Sequence, residues 1–126
     1  MIKQVETVKA PAAVGPYSQA VISKGQVYCS GMLPLNPESG NIPGSTVEEQ
    51  TKQVLENITA LLQELELNLE DVIKTTIFLD SIDTFQQVNQ IYGEYFSNHK
   101  PARSCVEVAA IPKGALVEIE GIAQMD

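Results

Sequence analysis

Seven apolar residues, Val47, Val54, Leu55, Ile58, Leu61, Leu62 and Leu65, recur at helical spacing and constrain the fold more than any other stretch. They predict one amphipathic helix over residues 46–66, with Glu56, Gln63 and Glu64 outward. Ser45 and Thr46 each stand three residues before a glutamate, Glu48 and Glu49, so two overlapping capping boxes are available. Asn68 ends the stripe.

The segments on either side are β-rich. Val72, Thr75, Thr76, Ile77 and Phe78 predict a strand over Val72–Leu79. Upstream, residues 18–23 and 26–30 form a hairpin about a Lys24-Gly25 turn, and residues 2–7 alternate loosely as a short edge strand. Between them, Ala10-Pro11 through Gly15-Pro16 is a loop, because each proline lacks an N–H and restricts the residue before it. Gly31 breaks the second hairpin strand and marks a bulge or a close backbone approach. Pro34, Pro37, Gly40, Pro43 and Gly44 punctuate the loop that follows.

Downstream, Asp83 is placed to cap a second helix, with Gln86 three residues on and Phe85, Val88, Tyr92 and Phe96 as its stripe. Asn89 falls within that stripe. A buried amide needs partners, so Asn89 either bonds a neighbouring loop or lines a site. A strand then starts at Arg103, a turn follows at Pro112-Lys113-Gly114, and residues 116–123 form the last strand.

The expected order is β-β-α-β-α-β-β, an α+β fold in which right-handed crossovers place both helices on one face of a mixed sheet. Alternation along the strand from Arg103 puts Ser104, Val106 and Val108 on one side and Arg103, Cys105 and Glu107 on the other. If that strand pairs antiparallel with the last one, its valines join Val117 and Ile119 in the core. Glu118 and Glu120 then share the bare face with Arg103, Cys105, Glu107, Leu116 and Ile122. A mixed, uncovered sheet face seeks another chain, so a homo-oligomer is expected, with the arginine near a subunit boundary.

Length and charge narrow the function. At 126 residues the chain is one domain, 1–126. No apolar run spans a membrane and no secretory signature opens the chain, so the expected location is cytoplasmic. The net charge of −8 opposes nucleic acid capture, which needs several lysine or arginine contacts to phosphate. Cys29, Cys105 and the lone His99 fit no zinc spacing. Gly-rich phosphate loops and G-x-S-x-G elbows are absent from the sequence. The expected site therefore uses no metal and no cofactor.

Arg103 is the only arginine; the other basic residues are lysines. On a stiff strand it is either an ordinary ion-pairing residue or a clamp, since a guanidinium grips carboxylate or phosphate with two parallel N–H bonds. Four segments turn this toward a known family. Ala10-Pro11-Ala12-Ala13-Val14-Gly15-Pro16-Tyr17-Ser18-Gln19, Cys29-Ser30-Gly31, Asn89-Gln90-Ile91-Tyr92 and Pro101-Ala102-Arg103-Ser104-Cys105-Val106-Glu107-Val108 together resemble the Rid family, nearest its RidA branch of reactive intermediate (enamine/imine) deaminases.

The resemblance implies a chorismate-mutase-like fold, a homotrimer with sites between subunits, and hydrolysis of 2-iminopropanoate and 2-iminobutanoate to 2-oxo acids and ammonia without cofactor. It makes Arg103 the carboxylate-binding residue, Cys105 a contributor of its backbone N–H, and Glu120 the acid near the attacking water. Tyr17, Ser30, Gly31 and Asn89 become cleft-lining positions. Each role has a plainer counterpart. Glu120 could neutralise Arg103, Cys105 could pack as a small residue, Tyr17 could cap an apolar edge, and Ser30 could bond a neighbouring backbone group. Two positions depart from the family pattern: Met32 stands where glutamine is common, which bears on substrate preference, and Ala110 where arginine is common. A non-catalytic trimer that binds small carboxylates or docks on a partner is the main rival function, and ribonuclease activity a third.

Overall fold

The computed structural model describes residues 1–125. It contains a six-stranded sheet with two helices on one face. The strands are β1 (Lys3–Val5), β2 (Ala20–Ser23), β3 (Gln26–Met32), β4 (Val72–Leu79), β5 (Ala102–Glu107) and β6 (Val117–Gln124), and the helices α1 (Val47–Glu64) and α2 (Phe85–Tyr95). The sheet order is β1-β2-β3-β6-β4-β5, with β4 and β5 parallel and every other neighbouring pair antiparallel.

Local chemistry explains the boundaries. Of the two available capping boxes, the one that forms is Thr46 with Glu49: the threonine side chain accepts from the Glu49 N–H, and the Glu49 carboxylate accepts from the Thr46 N–H. The β2–β3 hairpin turns through Lys24 and Gly25, both at positive φ (51° and 77°), as a two-residue connection demands. Gly31 does not end β3. The strand bulges at Ser30–Gly31, between the pairs Cys29↔Gly121 and Met32↔Ile119, and runs on to Met32. Asp83 is not the cap of α2. It sits in a short 3-10 turn, Ile82–Thr84, capped by the Ser81 hydroxyl, and α2 starts after it with no side-chain cap.

The core lies between sheet and helices. Leu55, Leu61 and Leu62 of α1 and Val88 of α2 meet Val27, Ile77, Leu79, Val117 and Ile119 of the sheet, all fully buried. A satellite cluster of Leu33, Leu35, Ile111 and Ala115 closes one end. Asn57 of α1, 2% exposed, ties the two together: its amide nitrogen donates to the carbonyls of Leu33 (3.1 Å) and Leu35 (2.9 Å), while its oxygen accepts from Gln53. Asn57→Ala strands two buried carbonyls and is expected to cost about 2–4 kcal/mol in chemical denaturation.

The strand that carries Arg103 is placed differently from the expectation. β5 does not pair with β6. It lies at the sheet edge against β4, and β6 sits between β3 and β4. The register Thr75↔Arg103, Ile77↔Cys105 and Leu79↔Glu107 puts Arg103, Cys105 and Glu107 on the helix side, because Thr75, Ile77 and Leu79 point into the core. Ser104 and Val106 take the bare face with Glu118, Glu120 and Ile122, and Val106 is 43% exposed. The physical reason is the edge position: the helices do not fully cover the last strand, so its helix-side positions accept long polar side chains. The valine pattern marks an uncovered face.

Candidate functional site

Arg103 leaves β5 toward α2. Its Nη1 donates to Asn89 Oδ1 at 2.7 Å, and the guanidinium lies 5.0 Å from the ring centroid of Tyr92 and 5.5 Å from that of Phe85. Phe85, Asn89 and Tyr92 recur at i, i+4 and i+7, one face of the helix. The arginine is exposed yet stands over this face, bonded to it through Asn89. Each cation–π contact at such a site contributes about 0.5–1 kcal/mol. Below it, the Tyr92 and Thr75 hydroxyls share a 2.7 Å bond, and burial pushes the Tyr92 phenol up despite that bond and the nearby guanidinium charge.

The backbone of β5 adds donors. Val108 N–H bonds the Leu79 carbonyl of β4 at 2.9 Å. Backbone groups of successive strand residues point to opposite sides, so the N–H groups of Val106 and Ser104 also face β4. Those of Arg103, Cys105 and Glu107 face outward from the open edge. A carboxylate at that edge meets guanidinium N–H groups and the outward N–H of Cys105. The thiol of Cys105 is not activated: partial burial raises its pKa, and Arg103 offsets this only in part. Burial pushes the Cys29 thiol up to about 11. His99 is spoken for, with Nε2 bonded to the Val72 carbonyl at 2.6 Å.

The other expected residues lie elsewhere. Tyr17, Ser30 and Gly31 share a narrow cleft with Pro11, Val14 and Met32. Tyr17 is 47% exposed, with its hydroxyl accepting from Val14 N–H at 3.3 Å, and the Ser30 hydroxyl donates to the Ser18 carbonyl at 2.6 Å. This cleft is on β3, three strand spacings or roughly 14 Å from β5. Glu120 projects from the bare face of β6 into a shallow concavity of about 330 Å³ shared with Tyr28, Lys74, Thr76 and Ile122. The single chain thus brings Arg103, Asn89 and Cys105 together, and separately Tyr17, Ser30 and Gly31. Glu120 stands on the sheet face opposite Arg103.

Three contributors escaped sequence reasoning. Phe85 and Tyr92 were legible as an apolar stripe, not as a platform for a cation. Glu118, half-buried on the bare face beside Glu120, reaches over Gly31 so closely that a Cβ there would sit 2.4 Å from its Oε2. Among the described residues no hydrogen bond satisfies its carboxylate, and burial first, then the Glu120 charge, raises its pKa. The stability its protonated form supplies is complete below the unfolded value of about 4.3 and is lost as pH rises through the higher folded value. Glu118→Gln should therefore raise Tm relative to the unaltered protein more at pH 7 than at pH 4, measured by thermal unfolding at both.

Among the described residues no group of three or more His, Cys, Asp or Glu is gathered to hold a metal ion, and no helix is long and apolar enough to cross a membrane. The family model described as endoribonuclease L-PSP matches residues 7–125. The chain is 48% identical to AldR of Lactococcus lactis, named as a regulator, over 98% of each chain. It is 43% identical to the human 2-iminobutanoate/2-iminopropanoate deaminase over 94% of this chain and 87% of that one. A crystal structure of YyfA from Yersinia pestis, described as a protein of unknown function of the conserved Rid family, superposes with a TM-score of 0.96 at 48% identity, covering 99% of this chain and 100% of the other.

Proposed function

Because the chain belongs to the Rid family, we propose that it hydrolyses reactive 2-imino acids, 2-iminopropanoate and 2-iminobutanoate, to 2-oxo acids and ammonia. The observation that carries this reading is the guanidinium of Arg103. It is pinned by Asn89 and two aromatic rings at an open strand edge whose Cys105 N–H points outward. That arrangement suits a small carboxylate approached from the edge. The imine deaminase name of the human relative supports the same substrate class.

Holding the carboxylate fixes the C=N carbon for a water. The water oxygen bonds that carbon as the C=N π bond opens and the nitrogen takes a proton from solvent, giving a carbinolamine. Glu120 accepts the proton the water sheds. In the collapse of the carbinolamine the C–N bond breaks as the C=O bond forms: protonated Glu120 returns its proton to the nitrogen, which leaves as ammonia, and the hydroxyl proton passes to solvent. Glu120 and the Tyr17–Ser30–Gly31 cleft lie too far from Arg103 in one protomer to act on one small molecule. The reaction therefore needs a second copy whose bare sheet face or β3 cleft meets the β5 edge. A homotrimer with its sites between subunits satisfies that requirement and covers Val106, Tyr28 and Ile122.

The regulator name of the Lactococcus relative favours one alternative, a trimer that binds small carboxylates without transforming them. The endoribonuclease description of the family model fits this chain poorly, since a net charge of −8 and a single arginine leave little to hold phosphates. The test is a coupled assay: a dehydratase generates the enamine, and 2-oxo acid appearance is timed with and without the protein. Unchanged timing rejects hydrolysis.

A further inference from the structure

We propose that Gln19, which stands in the lining of the Tyr17–Ser30–Gly31 cleft with its amide turned back into the loop, is a positioning residue that fixes the Tyr17 wall and sets substrate affinity through that wall. The proposal rests on the reading of the site given above. Residues 8–17 form neither helix nor strand, and Pro11 and Pro16 remove two of the N–H groups with which such a loop could bond itself. Tyr17 rides at the end of this loop. Its own side-chain bond, 3.3 Å to Val14 N–H, lies within the same exposed segment and anchors it to nothing outside.

The anchor is the amide of Gln19, 6% exposed and two residues beyond Tyr17. Its Oε1 accepts from Thr7 N–H at 2.6 Å. Its Nε2 donates to the carbonyls of Thr7 (3.0 Å) and Pro11 (2.7 Å), with a longer contact to that of Ala10 (3.3 Å). One N–H among three carbonyls leaves only one orientation of the amide consistent with its surroundings. The Gln19 backbone is tied as well: its carbonyl accepts from Ser30 N–H at 3.0 Å, next to the Ser30 hydroxyl bond to the Ser18 carbonyl. The start of the loop, its return and the Ser30–Gly31 bulge therefore all hang on residues 18 and 19. At the far end Thr7 Oγ1 bonds Glu64 of α1 at 2.7 Å, which fixes the network to the helix layer.

No other side chain replaces this set. Glutamate keeps the Thr7 N–H bond and loses every donor; methionine keeps the bulk and loses all the bonds. The experiment uses the full chain as Gln19→Glu and Gln19→Met, each alone and combined with Tyr17→Ala. It reads kcat and KM for dehydratase-generated 2-iminobutanoate, and hydrogen exchange across residues 8–17. Either variant is expected to speed exchange in that segment and to raise KM about tenfold, with kcat within about twofold. In the Tyr17→Ala background the same change should move KM by less than about twofold, because two residues acting through one wall are not additive. Faster loop exchange with unchanged KM, or losses that multiply with those of Tyr17→Ala, overturns the inference. An inactive unaltered protein overturns the underlying reading, and this inference with it; an active one with insensitive variants overturns this inference alone.

Discussion

Arg103→Lys is expected to lower kcat/KM for 2-iminobutanoate at least about 100-fold, while changing Tm little. The substitution keeps the positive charge, so an effect of this size measures geometry. A lysine ammonium cannot present two parallel N–H groups to a carboxylate. Nor can it bond Asn89 through a fixed fork while standing over Phe85 and Tyr92, the arrangement that holds the arginine. Losing one bond of a charge-assisted pair together with its orientation corresponds to roughly 3 kcal/mol, which the rate relation converts to about two orders of magnitude. Stability should respond only modestly, because a lysine ammonium retains part of the cation–π attraction and the side chain is exposed on the edge strand. The coupled assay supplies the rate and a melting curve the control. A loss below about threefold would mean that the charge alone suffices, and the clamp would have to be abandoned.

The fold was legible where periodicity carried it. The α1 stripe, the Val72–Leu79 strand and the Lys24-Gly25 hairpin follow from local patterns that tertiary contacts do not override. Partner choice between strands was not legible. β5 and β6 are neighbours in sequence separated by a turn, which reads as an antiparallel pair, yet β6 inserts between β3 and β4 and leaves β5 outside. That one topological step reverses which face of β5 looks at the helices, and with it the surroundings of Arg103. A guanidinium expected on the bare sheet instead rests on aromatic rings that the sequence presented as core. The candidate site residues were named through the resemblance to the Rid family; residue type alone offered Arg103 as a clamp and left Asn89 open between a structural and a lining role. Their division between the β5 edge, the β3 cleft and the bare face of β6 depends on strand order alone.

That division makes Glu120→Gln the more discriminating substitution. It is expected to lower kcat about 100-fold while leaving KM and the affinity for 2-oxobutanoate within about twofold. Glu120 projects from the face of the sheet opposite Arg103 and shares its concavity with Lys74 and Thr76. In the proposed site Glu120 comes from a neighbouring copy and faces the water rather than the carboxylate held by Arg103, so its removal should spare binding. If it takes a proton from the attacking water, the amide fails in that task alone, and general base catalysis contributes about 10²–10⁴-fold. An interaction made only in the transition state lowers kcat and kcat/KM together. The rival reading forecasts something else. In a trimer that only binds small carboxylates, Glu120→Gln leaves affinity, assembly and the unassisted decay of the imine untouched. Calorimetric titration with 2-oxobutanoate and the coupled assay on the same preparation separate the two. Preserved binding with a collapsed rate assigns the chemistry to Glu120. Preserved binding with a preserved rate removes Glu120 from the reaction, and weakened binding would show that the carboxylate of Glu120 and the guanidinium of a neighbouring copy meet the ligand at the same end.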